Sequence, residues 1–496
     1  MLDKLHRAYQ AARRVDRHGA RKCSESPHNA ADPALRFLGA FADHSKLWFS
    51  LAGTFAARKG AGRRAGARGV VGIAATSAVV NGMAKPLLPR TRPATKWARP
   101  LSTFPETPKS SSFPSGHAAS AAAFTTAVTM ESPLLGAATA PLAAAVAFSR
   151  VRSGAHYPSD VLVGALLGTG VSLATKRWWP VRPAVPARAR PSETVATSTD
   201  GEGLALLANP ASGDRNSDPG AQLAEVWPTA SQLKPDENRG LVDGLHAALD
   251  AEGDPVRAFG VAGGDGTVAT AASVAARRGL PLVVVPSGTL NHFARDVGVP
   301  DQHAAARALA AGTAVHVDLG SVRVDGQPEA WFINTASLGG YPDMVRLREQ
   351  WEPRWGKWPA AVAAFAAVLA RTRPMHVRLN GKERKVWVLF VGNGGYQPTG
   401  FAPAWRPRLD DGVLDVRYVR ADVPLSRTRF LLASLTGALL NSRTYVEKHR
   451  SQLRVEVLDQ DLQMLACDGE LRAEGRDFKF AARDEALRVY RATDFS

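Results

Sequence analysis

Hydrophobic residues in the first part of the chain are gathered into four runs, at about 69–84, 118–130, 133–149 and 161–175. Each run has ~13 to 17 residues, slightly fewer than the ~20 that a helix needs to cross a typical bilayer. Ala and Gly dominate the runs, and such small residues allow close helix packing in lipid or in a soluble bundle. The pattern predicts an all-α helical bundle over residues 34–178. We interpret it as membrane-spanning, with a soluble bundle as the alternative.

The second part of the chain has a different pattern, in which short apolar runs end in turns rich in glycine. Runs at 204–208, 257–261 and 281–285 each lead through such a turn, and helical patterns follow them. Repeated strand, turn and helix predict a parallel α/β domain over residues 204–317. Later apolar runs predict a β-rich domain over residues 318–490. Its expected strands are 315–324, 331–335, 377–379, 386–392 and 413–419.

Three other segments flank or join these domains. Residues 1–33 form a basic arm that lacks the apolar core of a signal peptide. Residues 35–57 have a mixed helical pattern, which we place at a membrane interface. Residues 179–203 are rich in Pro, Arg, Ser and Thr and are typical of a linker, with Trp178 and Trp179 as interfacial anchors.

Charge separates the two parts of the chain. The chain has 62 Lys and Arg and 45 Asp and Glu, a net charge of +17. Residues 1–203 contain 27 of these basic residues but only 11 of the acidic ones. The basic residues flank apolar runs and do not alternate with aromatic residues, which indicates a membrane surface and anionic substrates and argues against nucleic acid. With only Cys23 and Cys467, the chain has no disulfide framework and no zinc-type cluster.

Basic residues also predict the orientation of the bundle. They precede the first apolar run and follow the last one, as in the segments 58–68 and 176–182. By the positive-inside rule both flanks are cytoplasmic. We therefore expect a multi-pass protein of the plasma membrane, with its second part in the cytoplasm and the loops at the other helix ends facing outward.

Residues suited to phosphate chemistry stand at the ends of the apolar runs. The segment 149–160 combines the cation Arg150, the imidazole of His156 and the carboxylate of Asp160. A histidine nucleophile needs one free ring nitrogen and a partner that fixes its tautomer, and an arginine fork binds phosphoryl oxygens. If the apolar runs are antiparallel helices, all the motifs lie at the same end of the bundle, and their side chains surround one pocket. The predicted pocket holds Lys85, Arg92, Ser115, His117, Arg150, His156 and Asp160.

These stretches resemble the three-part signature of the type 2 phosphatidic acid phosphatase (PAP2) superfamily. The parts are Lys-x6-Arg-Pro from Lys85, Pro-Ser-Gly-His from Pro114, and Ser-Arg-x5-His-x3-Asp from Ser149. The resemblance implies His156 as a nucleophile that forms a phosphohistidine, and Asp160 as its orienting partner. It also implies His117 as the acid for the leaving alkoxide. Phosphate would be bound by Lys85, Arg92, Ser115, Gly116 and Arg150, without a cofactor.

Two alternatives accompany this resemblance. His117, His156 and Asp160 are residue types that also bind metals, although three cations in the same pocket would repel a metal ion. Soluble acid phosphatases and vanadium haloperoxidases share the signature, and the apolar runs argue against them.

The second part has three glycine turns that follow strands. They are the segments 209–213, 263–267 and 286–289. Glycines let backbone amides approach a polyphosphate closely, and a helix start adds a favourable dipole. The lysine pattern of a P-loop is absent.

Together these turns resemble the catalytic domain of the diacylglycerol kinase and sphingosine kinase superfamily. The resemblance covers residues 204 to about 490 and implies ATP and Mg²⁺ as cofactors. Asp411, in Leu-Asp-Asp-Gly, would bind the metal, and Glu470, in Asp-Gly-Glu, would be the base toward a lipid hydroxyl, with Asp265 also catalytic. The implied ATP contacts are Asn209, Ser212, Gly213, Gly264, Asp265, Gly266, Thr267 and Thr289. The chain departs from the family at Ala269 and Thr270, where an Asn-Glu pair is usual.

The combined hypothesis is a multidomain, bifunctional enzyme. It removes phosphate from a phosphatidic acid-like lipid in the bundle and phosphorylates a diacylglycerol-like lipid with ATP in the second part. The expected partners are the membrane, both lipids and ATP, with a homodimer through the kinase domain left open. The competing hypothesis is a regulatory kinase-like domain without catalysis, which the departure at Ala269 and Thr270 supports.

Overall fold

The structure is a computed structural model in which the chain forms two compact units, Met1–Arg182 and Pro183–Ser496. It describes residues 14–23, 30–58, 60–93, 110–183, 185–192, 199–210, 212, 219–235, 240–253, 255–288, 291–355, 360, 363–364, 367–368, 372–400 and 404–492.

The first unit is a helical bundle. A helical segment at 14–23 precedes six helices with the following bounds. They are α1 Asp32–Phe41, α2 Lys46–Ala56, α3 Ala61–Val79, α4 Gly116–Glu131, α5 Pro133–Arg152 and α6 Pro158–Ala174. Helix α3 continues through the π-helical turn Val80–Ala84 into Lys85–Leu87. Among the described residues, three helices are long and apolar enough to cross a membrane, namely Ala61–Leu87, Pro133–Arg152 and Pro158–Arg177.

Helix α4 lies at the centre of this bundle. Five of its alanines and Phe124 are buried against neighbouring helices. Glycines of α6 let the two backbones meet, because a Cβ added to Gly164 would lie 2.4 Å from the carbonyl oxygen of Ser115 and one on Gly168 would lie 2.1 Å from that of Ala119. The small residues of the apolar runs therefore set the helix spacing.

Charged residues close the end of the bundle where α3 begins and α4 ends. Nε of Arg68 lies 2.6 Å from Glu131, and Nε of Arg64 lies 2.9 Å from the same carboxylate. Arg68 is fully buried, donates to the carbonyl of Trp179 and lies 4.7 Å from the centre of its ring. Through Trp179, the segment after α6 is thereby bonded to the start of α3.

Two segments outside the four apolar runs also pack into this unit. Trp48, predicted within a helix at the membrane interface, is fully buried 5.4 Å from the ring of Phe124. Within the basic arm, Asp16 accepts hydrogen bonds from Ser159 and Arg90. Asp16 lies in the helical segment 14–23, so this part of the basic arm packs against the bundle.

The second unit is built on one mixed sheet, with 15 strands among the described residues in the path β14-β13-β7-β9-β8-β12-β15-β4-β3-β1-β2, plus β10, β11, β5 and β6 beside it. The bounds in the first part are β1 Leu204–Ala208, α7 Pro219–Val226, β2 Ser231–Gln232, α8 Leu241–Asp250, β3 Ala258–Gly263, α9 Asp265–Arg278, β4 Leu282–Pro286, α10 His292–Val297 and α11 Gln302–Ala311. Strands β1 to β4 pair in parallel, as the repeated strand and helix pattern predicts.

The remaining strands pair mostly antiparallel. Their bounds are β5 Ala314–Val324, β6 Ala330–Phe332, β7 Thr335–Gly339, α12 Gly340–Trp355, β8 Met375–Leu379, β9 Lys382–Asn393, β10 Leu414–Arg420, α13 Ser426–Thr436, β11 Tyr445–Arg450, β12 Gln452–Val457, β13 Gln463–Cys467, β14 Glu470–Gly475 and β15 Asp477–Tyr490. The last strand returns to the parallel part, where Val489 pairs with Leu282.

The expected boundary at 317/318 falls inside β5. The sheet runs across it, because β15 pairs with β5 along its length and with β4 at its end. Part of the expected linker also packs on this unit: the amide of Arg188 donates to Pro407, and that of Ser192 donates to Ala314. Buried Ala187 adds to the core, so apolar packing extends the unit N-terminally.

Candidate active sites

His156 lies in the loop between α5 and α6. Its Nδ1 is 2.6 Å from the carbonyl oxygen of Ser112, whereas Asp160 Oδ2 is 3.7 Å away. The carbonyl therefore fixes the tautomer by accepting the proton on Nδ1, which leaves Nε2 with its lone pair. Burial lowers the pKa of His156 below its ordinary value, so the ring is neutral at neutral pH.

Asp160 is held by groups other than the imidazole. Its carboxylate accepts from the amide of Tyr157 at 2.9 Å and from Arg90 Nη1 at 2.6 Å. Arg90 also stacks over the ring of Tyr157 at 4.1 Å. Asp160 thus stabilises the turn that carries His156 and offers it a nearby negative charge, while the closer hydrogen-bond partner is Ser112.

The predicted phosphate-binding residues meet around this histidine. Nη1 of Arg92 lies 3.4 Å from His156 Nε2 and 3.0 Å from the carbonyl oxygen of Ala155. Lys85 points to the start of α4, since a Cβ on Gly116 would lie 3.6 Å from its Nζ. The charges of Lys85 and Arg150 both interact with that of Arg92.

The start of α4 supplies amide donors to the same pocket. Ser115 is its N-cap and accepts from the amide of Ala118. Ser115 also receives support from the α6 side, where its amide donates to the carbonyl of Asp160. A helix start beside three cations is an arrangement that can bind a phosphoryl group.

His117 has a partner that the sequence did not reveal. Its Nε2 lies 2.7 Å from Oδ1 of Asp43, which begins the 3₁₀ turn Asp43–Ser45 after α1. The hydrogen bond with His117 lowers the pKa of Asp43, so this group stays a carboxylate. Arg150 is buried 3.8 Å from the same oxygen. Asp43 belongs to a segment without a motif, and only the tertiary fold brings it to the site.

Helix α1 also packs against the guanidinium of Arg150. A Cβ on Gly39 would lie 2.1 Å from Nη2 of Arg150. Glycine at this position lets the guanidinium lie against the helix backbone. The first unit therefore brings together a neutral imidazole with its Nε2 lone pair available, a second histidine with a carboxylate partner, and three cations.

The glycine turns of the second unit meet at the carboxyl ends of β1, β3 and β4. Nδ2 of Asn209 donates to Thr267 Oγ1 at 2.9 Å, and Ser212 Oγ is 2.8 Å from Ser287 Oγ. Asp265 accepts from the amide of Phe293, which joins the second turn to the start of α10. Gly264 is the N-cap of α9, followed by Gly266. Gly213 and Thr289 lie outside the described residues.

Glu470 lies against the second of these turns. A Cβ on Gly266 would lie 2.6 Å from Oε1 of Glu470, and the same carboxylate is 3.0 Å from Arg472. Although they are over 200 positions apart in the chain, the Asp-Gly-Glu segment and the glycine turn thus form one site. Asn209, Thr267 and Glu470 share a cleft of about 480 Å³.

Asp468 holds the Asp-Gly-Glu turn in place. Its buried carboxylate accepts from the amides of Ile333, Asn334 and Thr335 at 2.8 to 3.0 Å. Burial raises the pKa of Asp468 to about 6, in spite of these hydrogen bonds. It acts by positioning the turn and was not among the predicted site residues.

The two residues that depart from the kinase pattern are both buried. Ala269 packs in the core of the parallel part. Thr270 Oγ1 donates to the carbonyl of Gly266 at 3.2 Å and lines the cleft with Glu470. The hydroxyl replaces a carboxylate, so this wall of the cleft carries one negative charge fewer than the usual pattern.

A largely apolar cavity of about 580 Å³ opens beside Asp265 and Gly469. Its walls come from α12, β7, β9, β10 and α13, and they include Tyr341, Met344, Trp387, Phe390, Val419 and Phe430. The cavity has the size and lining of a site for an apolar chain. Its polar end is marked by Asp265 and Asp468.

Asp411 lies next to a second carboxylate with an unused oxygen. Successive amides, of Gly395 and Tyr396, donate to Asp411 and Asp415. Oδ1 of Asp415 is buried and, within the described part of the chain, lacks a hydrogen-bond partner. Asp415 also groups with Glu447 and His449 within 4.8 Å. Carboxylate oxygens suit Mg²⁺, so Asp411 and the open oxygen of Asp415 fit the ion that the kinase resemblance implies, while the other oxygen of Asp415 pairs with Arg417 at 2.6 Å.

Comparison with known proteins agrees with both resemblances. A family model described as PAP2 superfamily matches residues 66–184, and one described as diacylglycerol kinase catalytic domain matches residues 203–322. A diacylglycerol kinase of Mycobacterium tuberculosis is 33% identical over 198 residues, which are 38% of this chain and 62% of that protein. The chain thus spans less than two thirds of that relative.

Further similar proteins include a Pseudomonas aeruginosa protein named "Probable lipid kinase YegS-like". It is 32% identical over 240 residues, 46% of this chain and 74% of that protein. A solved diacylglycerol kinase from Bacillus anthracis has 18% identity and a TM-score of 0.40, covering 58% of this chain and 97% of that chain. A solved PAP2-type phosphatidylglycerolphosphate phosphatase from Bacillus subtilis has 19% identity and a TM-score of 0.29, covering 35% and 89%. Through its second unit the chain belongs to the YegS-like lipid kinase family, and ahead of that domain it carries a domain of the PAP2 superfamily.

Proposed function

We propose that this protein is a bifunctional lipid enzyme, which dephosphorylates a lipid phosphate in its first unit and phosphorylates a lipid hydroxyl with ATP in its second. For the phosphatase, the single observation that carries the proposal is the state of the neutral His156 ring. Its Nδ1 is hydrogen-bonded to the carbonyl of Ser112, and its Nε2 lies beside Arg92. For the kinase, it is the position of Glu470 against Gly266.

In the phosphatase reaction, Nε2 of His156 attacks phosphorus while the bond to the lipid oxygen breaks. Three cations and the first amides of α4 stabilise the charge on the equatorial oxygens. His117 gives a proton to the leaving alkoxide, and Asp43 compensates the charge of its imidazolium form. Water then attacks the phosphohistidine, which releases phosphate and restores His156.

In the kinase reaction, Glu470 takes the proton of the lipid hydroxyl as its oxygen attacks the γ-phosphorus of ATP. The glycine turns hold the phosphates through backbone amides. Asp411 and Asp415 would hold Mg²⁺, which supplies positive charge near the phosphates when bound. The apolar cavity receives the acyl part of a diacylglycerol-like substrate, with its hydroxyl near Asp265.

The long apolar helices of the first unit support a location in a membrane. Arg58 precedes the first long apolar helix, and Arg63 and Arg64 lie in its first turn, whereas Lys176 and Arg177 end the last one. By the positive-inside rule, these ends are cytoplasmic and the His156 pocket faces outward. The kinase unit, which needs ATP, then lies in the cytoplasm of a multi-pass plasma-membrane protein.

Two substitutions in the full chain test the two activities separately. His156→Ala should abolish release of phosphate from phosphatidic acid and leave ATP-dependent phosphorylation of diacylglycerol intact. Glu470→Gln should do the reverse. Phosphatase turnover that survives His156→Ala would refute the assignment of the nucleophile, and kinase turnover that survives Glu470→Gln would refute that of the base.

A regulatory, non-catalytic second unit is the alternative function, favoured by Ala269 and Thr270. Thermal unfolding with and without ATP and Mg²⁺ separates the two, because a ligand that binds the folded state raises its stability. A kinase unit that ATP and Mg²⁺ do not stabilise would support regulation, whereas stabilisation together with turnover would exclude it.

A further inference from the structure

Helix α13 carries an exposed apolar surface that the proposed reactions do not use. The helix and the 3₁₀ turn after it lie in the segment 424–444. Five leucines of this segment are 40 to 74% exposed. They are Leu425, Leu431, Leu432, Leu435 and Leu440, and we name them the leucine surface. Exposed leucines gathered in one short segment mark an interaction site more often than a plain solvated surface.

The opposite face of the same helix closes the apolar cavity. Phe430 and Ala433 are buried against Val419 and Tyr445. Phe430, Val419 and Tyr445 line the cavity as well. One short helix therefore separates the cavity from the leucine surface.

Charge decides which occupant the leucine surface fits. The segment 424–444 contains three arginines, Arg427, Arg429 and Arg443, and no Asp or Glu. Arg429 and Arg443 are exposed, and Arg427 lines the cavity with its guanidinium 4.2 Å from the ring of Trp387. Two copies of this surface would bring arginines together, whereas an anionic bilayer offers both apolar depth and negative charge.

We propose that the leucine surface inserts into the interface of an anionic lipid bilayer, so that the kinase takes its lipid directly from the membrane into the cavity. This inference rests on the proposed kinase function for the role of the cavity. The insertion itself is a physical property that can be measured without turnover.

Site-specific fluorescence in the full chain tests the insertion. The chain, with Cys23→Ser, is reconstituted in nanodiscs of phosphatidylcholine and phosphatidylglycerol, and a bimane label is placed at Leu432→Cys or Leu435→Cys. Leu462→Cys is the matched control, because Leu462 is also about half exposed and lies between β12 and β13. Buried Cys467 stays, and its residual labelling is measured in the parent chain.

Brominated lipids should quench the labels at 432 and 435 and leave the label at 462 unquenched. Equal quenching of all three labels by aqueous iodide, with none by brominated lipid, would overturn the proposal. Excimer formation between pyrene labels at 432 on separate chains would also overturn it, since a second copy would then be the occupant.

An activity measurement tests the role of the surface in substrate delivery. Leu432→Asp with Leu435→Asp should lose phosphorylation of long-chain diacylglycerol in bilayers and keep that of a short-chain diacylglycerol dispersed as monomers. Leu462→Asp should keep both activities. Equal loss on both substrates would overturn the delivery role. If the parent chain had no kinase activity, the quenching result would still decide the insertion.

Discussion

Oδ1 of Asp43 lies 2.7 Å from Nε2 of His117 and links the turn after α1 to the first residues of the central helix. The same oxygen lies 3.8 Å from Arg150. One carboxylate thus contacts both the proposed acid and a phosphate-binding cation. Because it occupies Nε2, Nδ1 is the ring nitrogen that can pass a proton to the leaving group.

Asp43→Asn should lower phosphatase kcat. The amide keeps the shape but cannot compensate a positive imidazole, so the loss should be on the order of 10- to 100-fold, as for other residues that orient a catalytic group. Phosphate release from phosphatidic acid measures it, and ATP-dependent phosphorylation by the same sample is the control. Unchanged kcat would show that Asp43 only holds α1 in place.

Gly39→Ala should weaken binding of the phosphate group. The new Cβ would lie 2.1 Å from Nη2 of Arg150 and must displace the guanidinium. We expect KM to rise more than kcat falls. The control is Gly53→Ala in α2, where a Cβ meets nothing within 4 Å. Equal kinetics for both variants would contradict the close packing of the Arg150 guanidinium against Gly39.

The phosphatase should keep its activity at unusually low pH. Burial lowers the pKa of His156 below 6.5, with a further contribution from the charge of Arg92. The neutral, nucleophilic ring therefore persists as pH falls through 6.5, and the acid limb of kcat/KM should lie below that value. Arg92→Gln should move the limb to higher pH, even though overall activity falls. An acid limb at or above pH 6.5 in the parent would contradict the burial argument.

The motifs alone predicted which residues meet around His156, because each motif stands at a helix end and antiparallel helices bring those ends together. They did not predict Asp43 or the carbonyl of Ser112, since neither contact is encoded by local spacing. Arg90 was also missed, although it stands between Lys85 and Arg92 in the chain. Its pairing with Asp160 appears only once α6 is in place.

In the second unit, apolar runs predicted strands correctly where neighbouring strands supply the hydrogen bonds. The run 331–335 is different, because the structure divides it between β6 and β7. The amides of Ile333 and Asn334 donate to Asp468 instead of to a strand. The sequence shows the apolar pattern, but not that a distant carboxylate takes these donors.

Gly266→Ala should lower kinase turnover without unfolding the domain. Its Cβ would lie 2.6 Å from Oε1 of Glu470, and the flexible carboxylate can move aside at little cost. A base displaced by roughly 1 Å can lose on the order of 100-fold in rate. Diacylglycerol phosphorylation measures the effect, and Gly253→Ala, in open space, is the control. Full activity of Gly266→Ala would mean that Glu470 is not held against this turn during catalysis.

Glu131→Gln should destabilise the bundle at the end away from the His156 pocket. Its carboxylate is nearly inaccessible and pairs with Arg64 and with the fully buried Arg68. Removing one partner of a buried pair leaves an uncompensated charge and typically costs about 3–5 kcal/mol. Arg64→Gln is the matched control, because its side chain is 37% exposed and such pairs contribute about 1 kcal/mol or less. Thermal unfolding in detergent should show a much larger loss of stability for Glu131→Gln than for Arg64→Gln. Equal losses would mean that the pair of Glu131 with Arg68 does not stabilise the helix ends.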